Sequence, residues 1–428
     1  MGAREPQQLS SYDVVVLGGG SGGEAVARGL AERGKKVALV ESGLVGGECP
    51  YLACMPSKAL LHAAAAGRPW PVAVKLRDEA ADHRDDAATV KELRAAGVDV
   101  VRARGVITEA GVVLAGADRL EAPDIVVATG AEATVPSLDG VDRGDIWTSA
   151  DALSTADLPE RLLILGGGPV GCELAQAFAR LGSSVTLVET DDRLLAREPA
   201  FVGEAIRAAL TADGVTVRTG AKVESAPAGW RVLAAMGTRP RVEGIGLERL
   251  GIAPDPDGGL PVDEHCRVHT GLWAVGDVTA IAPYTHTANY QAKVVVANLC
   301  GESRRADYTA IPRALYTEPA VFVVGRTEGD GLVTAGADLG ETARAAVDGR
   351  SGTGGRLELY ADPATRTLVG AAAVGPAVDD WGTELTLAVK AKVGVDVLAD
   401  VVHAFPTYAE ALEPAYADLA RRTSGEDR

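Results

Sequence analysis

Apolar and polar positions near the start of the chain follow a strand, a helix and a second strand. The β-branched run from Tyr12 to Leu17 predicts a buried strand, and helical periodicity then continues to Arg33. A second apolar run, Lys36 to Val40, ends in Glu41. The turn between the first strand and the helix carries Gly18, Gly20 and Gly23. This order predicts a β–turn–α–β unit built on a glycine-rich turn.

The same pattern returns in the middle of the chain. Arg161 to Leu165 predicts a strand, and a helix follows to about Leu181. Ser184 to Val188 predicts a second strand that ends in Glu189. The turn of this copy carries Gly166, Gly168 and Gly171. In both copies the acid follows the first glycine at the same spacing, so the chain is predicted to contain two Rossmann-like units.

The glycine spacing has a chemical reason. The first glycine allows a tight turn, the second lets the backbone approach a pyrophosphate, and the third lets the helix pack against the strand. An acid at the end of the second strand binds ribose hydroxyls, a role that fits Glu41 and Glu189. One such turn also occurs in unrelated α/β proteins, but two equal copies favour two dinucleotide sites. The Glu189 carboxylate repels a 2′-phosphate and favours NAD(H), although Arg193 and Arg197 leave NADP(H) open.

The hydrophobic pattern changes after about Asp307. Short strand-like runs precede helical stretches, which predicts an α+β domain after the nucleotide-binding units. The strand-like runs are Ala320 to Val324, Arg356 to Tyr360 and Thr367 to Val374, and the helical stretches are Trp381 to Val393 and Tyr408 to Arg422. The predicted fold class is therefore α/β, with two Rossmann-like dinucleotide-binding domains and a C-terminal α+β domain.

Charge and hydropathy argue against several kinds of partner. The formal net charge of −17 opposes binding to nucleic acid or to an anionic membrane. No apolar stretch is long enough to span a bilayer, and Met1 to Ser11 is polar, without an apolar signal core. We therefore expect a cytoplasmic protein with no nucleic-acid or membrane partner.

Five cysteines form an odd and sparse set that does not suit a secreted disulfide framework. Cysteines and histidines also lack the spacing of a zinc site, so no metal is predicted. Cys49 and Cys54 are close in sequence, and in a reducing compartment such a pair suits catalysis better than structure. The other three, Cys172, Cys266 and Cys300, are expected to be small apolar fillers.

Geometry limits how Cys49 and Cys54 can pair. Five residues of regular helix rise roughly 7.5 Å, whereas a disulfide needs Cα atoms about 4.4–6.8 Å apart. A bridged pair therefore requires an irregular first turn at Cys49, and Pro50 suits such a position. Thiols at a helix N-terminus also have a lowered pKa and react as thiolates.

The segment from Gly46 to Lys58 resembles the G-G-x-C-x4-C-x-P-S-K motif of the class I pyridine-nucleotide disulfide oxidoreductases. The resemblance covers nearly the whole chain, because further family marks follow in order. They are Ala128-Thr129-Gly130, Met236-Gly237-Thr238-Arg239-Pro240, Ala274-Val275-Gly276-Asp277 and Arg313 to Pro319. The implied domains are an FAD-binding domain in two parts (1–150 and 263–306), a shortened NAD(P)-binding domain (151–262) and a dimer-interface domain (307–428).

The resemblance also implies cofactors and roles. NAD(P)H reduces FAD, which passes two electrons through Cys54, while Cys49 exchanges with a small-molecule sulfur substrate. Lys58 lies beside the flavin and pairs with Glu173; without the family, these would be a solvated charge and a first-turn helix acid. A homodimer with active sites shared between subunits is implied. The implied FAD site comprises the first glycine turn, Glu41, Lys58, Thr129, Gly130 and Asp277, and the NAD(H) site comprises the second glycine turn, Glu189 and Gly237.

The family pattern breaks near the C-terminus. Reductases of the family carry a His-Pro-Thr segment, whose histidine is the acid/base for thiol exchange at the partner's disulfide, and a glutamate soon afterwards. Here the Pro-Thr pair fixes the register, so Phe405 takes the place of the base and Glu410 lacks its imidazole partner. His403 is either a substitute base on the same side of an extended segment or a structural histidine. Tyr408 is a weaker candidate, because its pKa near 10 makes a poor base.

A second departure concerns the NAD(P)-binding domain. The segment from Gly166 to Gly237 is shorter than is usual in the family, so a β-meander around Val223 to Arg231 is expected to be missing. Nucleotide binding is then weaker or differently shaped.

Three functions remain open from the sequence. The first is an NAD(P)H-linked disulfide or dithiol oxidoreductase with a non-standard acid/base. The second is a diaphorase-type flavoprotein that reduces quinones, metals or another non-disulfide acceptor. The third is a non-enzymatic FAD-bound redox sensor or partner subunit. Mercury reduction is disfavoured, because mercuric reductases of the family use a C-terminal cysteine pair and Ala420 to Arg428 contains no cysteine.

Overall fold

The first Rossmann-like unit is centred on a six-stranded sheet. The structure, a computed structural model, describes residues 9–424, so the ends of the first and last predicted domains, and most of the polar N-terminal segment, lie outside it. All neighbouring strands run parallel except the first pair in spatial order. In that order the strands are Arg267–His269, Leu272–Ala274, Asp124–Val127, Val14–Leu17, Val37–Glu41 and Val98–Arg102.

Both faces of this sheet are covered, which explains why its strands are almost continuously apolar. Val14 and Val16 pack on one face with the helices Ser21–Ala31 and Thr285–Leu299. Val15 and Leu17 pack on the other face with a four-stranded sheet. The strands of that sheet are Leu9–Ser11, Asp118–Glu121, Val112–Ala115 and Gly105–Glu109.

The second Rossmann-like unit is a five-stranded sheet in which every neighbouring pair is parallel. Where the sequence predicted a missing meander, residues 219–230 form a loop without a regular strand. Val223 and Trp230 of this loop are partly buried against one face of the sheet. In spatial order the strands are Ile146–Trp147, Arg231–Ala234, Arg161–Leu165, Ser184–Val188 and Thr216–Arg218.

Two segments show where the chain passes between the units. Ile146–Trp147 belongs to the second sheet, although it lies within residues 1–150. Thr238–Pro240 pairs with Ala131–Ala133 in a short antiparallel ribbon, and Leu260 packs with the first sheet. We therefore propose that the second unit spans about residues 146–237 and that the first unit resumes afterwards.

The C-terminal unit is a five-stranded antiparallel sheet. The helix Leu412–Ser424 packs against two of its strands, Val333–Asp338 and Arg356–Asp362, and buries Leu412, Tyr416 and Leu419 in the core of this unit. In spatial order the strands are Arg313–Leu315, Ala320–Gly325, Thr367–Gly375, Arg356–Asp362 and Val333–Asp338. The predicted combination of two Rossmann-like units and an α+β unit is confirmed.

The remaining helices connect and cover these sheets. The other α-helices are Glu48–Tyr51, Cys54–Ala65, Trp70–Ala80, Ala87–Ala95, Ser149–Ala152, Pro169–Arg180, Ala200–Ala212, Ala343–Val347, Val378–Trp381, Thr383–Lys390 and Val395–Leu398. The 3₁₀ helices are Asp82–Arg84, Arg143–Asp145, Leu247–Leu250, Gly276–Thr279, Leu339–Glu341 and Tyr408–Ala411. Within residues 9–424, none of the helices combines the length and apolar character that crossing a membrane requires.

Candidate active site

The two glycine turns have nearly the same geometry. A Cβ on Gly18 would lie 2.2 Å from the carbonyl oxygen of Ala128, and a Cβ on Gly166 would lie 2.3 Å from that of Ala235. Each first glycine also has a positive φ, at +103° and +110°. The backbone of a neighbouring strand therefore passes too close for any side chain, and the turn requires glycine.

The middle glycine of each turn faces open space instead. A Cβ on Gly168 would meet nothing within 4 Å, and one on Gly20 would meet only the Cα of Gly47 at 4.0 Å. The helices Ser21–Ala31 and Pro169–Arg180 begin directly after these turns, so their free N–H groups face the same space. Both turns thus fit the pyrophosphate of a dinucleotide.

An acid at the end of the second strand contacts each glycine turn. Glu41 accepts hydrogen bonds from the backbone N–H groups of Gly19 (2.6 Å) and Gly43 (2.6 Å). Glu189 accepts from Gly167 (2.5 Å) and Asp191 (2.9 Å). Burial favours the neutral form of Glu189, but these backbone donors outweigh it and lower the pKa of its carboxyl. Glu189 is therefore a carboxylate at neutral pH.

Arg193 is engaged within its own loop. Its guanidinium donates to the carbonyl oxygens of Leu195 (3.3 Å), Ala196 (2.5 Å) and Glu198 (2.6 Å). Its donors therefore hold the loop after the second strand in shape. Arg193 is therefore not available to bind the 2′-phosphate of NADP(H). Of the two arginines that left NADP(H) binding open, this leaves Arg197, which is exposed.

The helix that carries the cysteine pair is interrupted. Glu48–Tyr51 forms one turn, and the helix Cys54–Ala65 starts after Leu52 (φ −130°, ψ −3°) and Ala53 (φ −137°, ψ −91°). The irregularity that the sequence required is present, but it lies at Leu52 and Ala53 rather than at Cys49. It brings the two cysteines into contact and places Cys54 at the start of a 12-residue helix.

The two thiols differ in acidity. A hydrogen bond from Cys49 lowers the pKa of the Cys54 thiol to about 6, despite burial, and the hydroxyl of Thr285 and the charge of Lys58 act in the same direction. Glu173 opposes them. The same bond, together with burial, raises the pKa of the Cys49 thiol. In the dithiol form, the first proton is therefore lost from Cys54, and Cys49 keeps its proton to higher pH.

Lys58 and Glu173 form an ion pair across 115 residues of sequence, with Nζ and Oε2 2.7 Å apart. Glu173 is nearly buried, and its other oxygen accepts the backbone N–H of Tyr316 at 3.1 Å. Lys58 also lies over the Tyr316 ring, 4.6 Å from its centroid. The pairing that the resemblance implied is therefore present, with Tyr316 as a third member.

The remaining implied FAD residues lie close to the first glycine turn, and the space between these segments is called the groove. The cysteine segment docks on that turn, because the N–H of Gly46 donates to the carbonyl of Gly19 (2.7 Å). Thr129 and Gly130 follow the central strand Asp124–Val127. Asp277 lies in the turn after Leu272–Ala274, the neighbouring strand. Gly237, implied at the NAD(H) site, has open space at its Cβ position.

Phe405 and His403 point in opposite directions. The Phe405 residue is 78% exposed, whereas the His403 side chain is only 5% exposed. The His403 Nε2 lies 3.2 Å from Glu384, and its Nδ1 lies 3.4 Å from Glu413. Its ring also lies 6.3 Å from that of Tyr416. This placement inside the C-terminal unit favours the structural alternative for His403.

Glu410 and Tyr408 have partners within the same unit. The Glu410 carboxylate accepts the backbone N–H groups of Ala343 (2.5 Å) and Arg344 (3.4 Å) at the start of a short helix. Tyr408 is buried and its hydroxyl donates to Asp348 at 3.0 Å. The position of the family's base therefore carries only an exposed aromatic ring.

The other cysteines lie away from this pair. Cys172 and Cys266 are fully buried, and Cys300 is partly buried against the core of the first Rossmann-like unit. Burial raises the pKa of Cys172, and it raises that of Cys266 to about 11. They fill space as expected. Residues 9–424 contain no group of three or more His, Cys, Asp or Glu side chains that could hold a metal ion.

Sequence reasoning missed two groups of residues near the site. Thr285, whose hydroxyl is 3.6 Å from the Cys54 sulfur, begins the helix Thr285–Leu299 and carries no motif of its own. Arg241 and Glu48 form an ion pair at 2.8 Å across the groove. The sequence pointed to these two residues only through their position next to recognised motifs, since Glu48 precedes Cys49 and Arg241 follows Pro240.

Comparison with known proteins identifies the family. The family described as pyridine nucleotide-disulphide oxidoreductase matches residues 12–292, and the dimerisation domain of the same family matches residues 311–416. The chain belongs to the FAD-dependent pyridine nucleotide-disulphide oxidoreductases and uses FAD and NAD(P)H.

Individual relatives agree with this assignment. The chain is 34% identical to a mercuric reductase of Streptomyces lividans, with 96% of each chain covered. It is 31% identical to dihydrolipoyl dehydrogenase 3 of Pseudomonas putida, with 95% of this chain and 98% of the relative covered. A solved Cu(II) complex of the HOCl-induced flavoprotein disulfide reductase RclA from Escherichia coli has a TM-score of 0.85 at 25% identity, covering 95% of this chain and 99% of the other.

Proposed function

We propose that the protein is an NAD(H)-linked disulfide or dithiol oxidoreductase that exchanges electrons with a small sulfur substrate through Cys49 and Cys54. The observation that carries this proposal is the contact between these thiols at a helix start, beside the Lys58–Glu173 ion pair. The first glycine turn, Glu41, Thr129–Gly130 and Asp277 would hold FAD, which would supply hydride and electron transfer between the nicotinamide and the disulfide. The chain's own part is to hold Cys54 as a thiolate and to present Cys49.

The substrate step is a thiol exchange. In the reducing direction, the Cys49 sulfur attacks one sulfur of a substrate disulfide, and the other substrate sulfur leaves as a thiolate and takes up a proton. Cys54 then displaces the second substrate thiol and the Cys49–Cys54 bond re-forms. Two product thiols need two protons. Because the reduced pair carries only one, the second comes from solvent or from the substrate.

Proton handling is the unusual part of this cycle. The Cys49 proton lies in its hydrogen bond to Cys54, and no imidazole occupies position 405 to remove it. His403 and Glu410 are held inside the C-terminal unit. The proposed acid/base is therefore a group of the substrate or a water molecule, which favours substrates with an activated sulfur.

The dimerisation domain makes a homodimer the proposed assembly. Phe405 is 78% exposed and Val402 is 91% exposed, so this loop projects two apolar side chains from the C-terminal unit. By the family arrangement, this loop of one subunit lies over the Cys49 of the other. The proposed site is then shared, and its base position carries the partner subunit's Phe405.

A thiophilic metal ion is a second candidate acceptor. Metal binding displaces thiol protons without a protein base, and soft ions prefer thiolate ligands. The absence of an imidazole at position 405, together with the contact between Cys49 and Cys54, favours this candidate. Two similar proteins are a mercuric reductase and a flavoprotein solved with Cu(II). The ion would be a substrate held by the two thiols.

The test is anaerobic NADH oxidation with three acceptors: a low-molecular-weight disulfide, Cu(II) and a quinone. Replacing Cys49 with Ser is expected to lower disulfide turnover at least about 100-fold, because no mixed disulfide can form, while quinone turnover persists. The matched control is Cys300→Ser, a partly buried thiol outside the pair, which should leave all rates unchanged. Full disulfide activity in Cys49→Ser contradicts the proposal, and faster turnover of Cu(II) than of any disulfide selects the second candidate.

A further inference from the structure

An ion pair spans the groove that the FAD-binding residues line. Glu48, which directly precedes Cys49, contacts Arg241, with the carboxylate and guanidinium 2.8 Å apart. The two side chains are half-exposed, at 51% and 45%. They come from distant segments, one from the cysteine turn and one from the chain that returns from the second unit. The contact is therefore a bridge between two walls of the groove.

The backbone of Arg241 is fixed to one of these walls. Its N–H donates to the carbonyl of Gly130 at 2.9 Å, and its own carbonyl accepts the Thr129 hydroxyl at 2.7 Å. The guanidinium extends back over Gly130, where a Cβ would lie 3.9 Å from Nη1. Thr129 and Gly130 are implied FAD residues, so Arg241 is held directly beside the cofactor's groove.

Arg241 is the cation that offsets the negative charge of Glu48 and Asp277. Asp277 lies close enough to feel both side chains: burial and the Glu48 charge raise the pKa of its carboxyl, and the Arg241 charge lowers it. Two carboxylates and one guanidinium therefore share this end of the groove. The diphosphate of FAD would add further negative charge at the adjacent first glycine turn, where the Cα of Gly47 lies 4.0 Å from the Cβ position of Gly20. A nearby cation therefore favours FAD binding by offsetting this charge.

We propose that Arg241 is a cofactor-binding residue and that the Glu48–Arg241 pair is a clasp across the groove, which slows the release of FAD. The inference rests on the FAD of the family and on this geometry, not on the identity of the electron acceptor. Its failure would therefore leave the proposed function intact, because FAD release is measured without turnover.

The test is the rate of FAD release from the holoenzyme, followed as the rise in flavin fluorescence after dilution. Arg241→Gln is expected to release FAD about 3–10-fold faster, because a half-exposed charged contact beside the cofactor is lost and a carboxylate is left without its partner. The double change Glu48→Gln with Arg241→Gln should release FAD more slowly than Arg241→Gln alone, since the uncompensated charge is also removed.

A neighbouring pair on the same ribbon supplies the matched control. Arg239 contacts Glu132 at 2.5 Å, on the strands that pair Thr238–Pro240 with Ala131–Ala133. Arg239→Gln removes an exposed arginine two residues away and should keep the wild-type release rate within about twofold. The inference is overturned if Arg241→Gln releases FAD at the wild-type rate, or if Arg239→Gln accelerates release equally, since ribbon damage would then explain both.

Discussion

The cysteine turn and the loop around Phe405 belong to the same proposed site, yet they retain different parts of its chemistry. Around Cys54, a neighbouring thiol, a hydroxyl and a lysine all stabilise the thiolate. Around Phe405, the ionisable side chains turn inward, and the ring that faces outward cannot carry a proton. The contrast shows that stabilising the Cys54 thiolate and transferring protons to the substrate depend on different residues.

The difference also has a structural cause. His403 is fixed by Glu384 and Glu413, and Glu410 caps the helix Ala343–Val347, so each has a role that does not depend on a base at position 405. The loop can therefore keep its shape after the imidazole is gone. Compared with the family pattern, the loop lacks only the imidazole at position 405, and a single substitution can restore it.

The most direct way to break the contrast is to restore the base. Phe405→His places an imidazole, with an ordinary pKa near 6.5, at the base position. We expect disulfide turnover to rise by about 10²-fold, at the low end of general acid–base contributions, because part of the Glu410 carboxylate is already engaged. The rate should acquire a new pH dependence near the imidazole pKa, measured as kcat/KM against pH.

The control for this gain is a second exposed apolar residue of the same loop. Val402→His adds the same imidazole three residues away, where we expect no rise in turnover. Equal gains in both variants would mean that any imidazole in solution suffices. No gain in Phe405→His would place this loop away from the partner's dithiol and contradict the shared site.

The two regions were also unequally predictable from the sequence. Gly18, Gly166 and their acids followed from spacing alone, because a close backbone approach permits only glycine. The Lys58–Glu173 pair required the family resemblance, since no local rule joins residues 115 positions apart. The helix break was predicted from disulfide geometry, but its position at Leu52 and Ala53 was not.

The orientation of His403 shows the limit of periodicity. Alternation in an extended segment allowed His403 to share a side with Phe405. The structure instead buries the His403 ring between Glu384, 19 residues before it, and Glu413, 10 residues after it. Such partners depend on the packing of the helices Thr383–Lys390 and Leu412–Ser424, which the sequence pattern does not specify.

The second glycine turn also contrasts with the loop around Phe405, because it keeps the glycines and the acid that the family pattern requires. Glu189 is ionised and Arg193 is occupied by carbonyl oxygens, so we expect kcat/KM to be higher for NADH than for NADPH. Glu189→Ala should narrow this preference about tenfold, since the charge that repels a 2′-phosphate is removed. Steady-state rates with both nucleotides measure the ratio.

Arg197 provides the comparison for that experiment. It is the exposed arginine that follows the Arg193 loop, and Arg197→Ala should leave the NADH/NADPH ratio unchanged if Glu189 determines it. A wild-type preference for NADPH that disappears in Arg197→Ala would show the opposite assignment, with Arg197 holding the 2′-phosphate.

The smallest expected effect concerns Thr285, which acts on the intact half of the site. Its hydroxyl is 3.6 Å from the Cys54 sulfur, and the other charges facing that sulfur are Lys58, which lowers its pKa, and Glu173, which raises it. Thr285→Val keeps the shape and removes the donor. We expect the pKa of the Cys54 thiol to rise by about one unit from its value of about 6, because one contact to the charged form is lost.

The sign of the pH effect follows from the thiolate being the form present above the pKa. At pH 7 the thiolate fraction would fall from about nine-tenths to about one-half, so turnover should change only about twofold. The long-wavelength absorbance of the reduced holoenzyme, titrated against pH, measures the shift directly, and Thr285→Ser should retain the wild-type midpoint. A midpoint that stays near pH 6 in Thr285→Val would mean that Cys49 and Lys58 suffice to stabilise the Cys54 thiolate. The chemical difference between the cysteine turn and the loop around Phe405 would then come from the neighbouring thiol and the lysine, and not from the Thr285 hydroxyl.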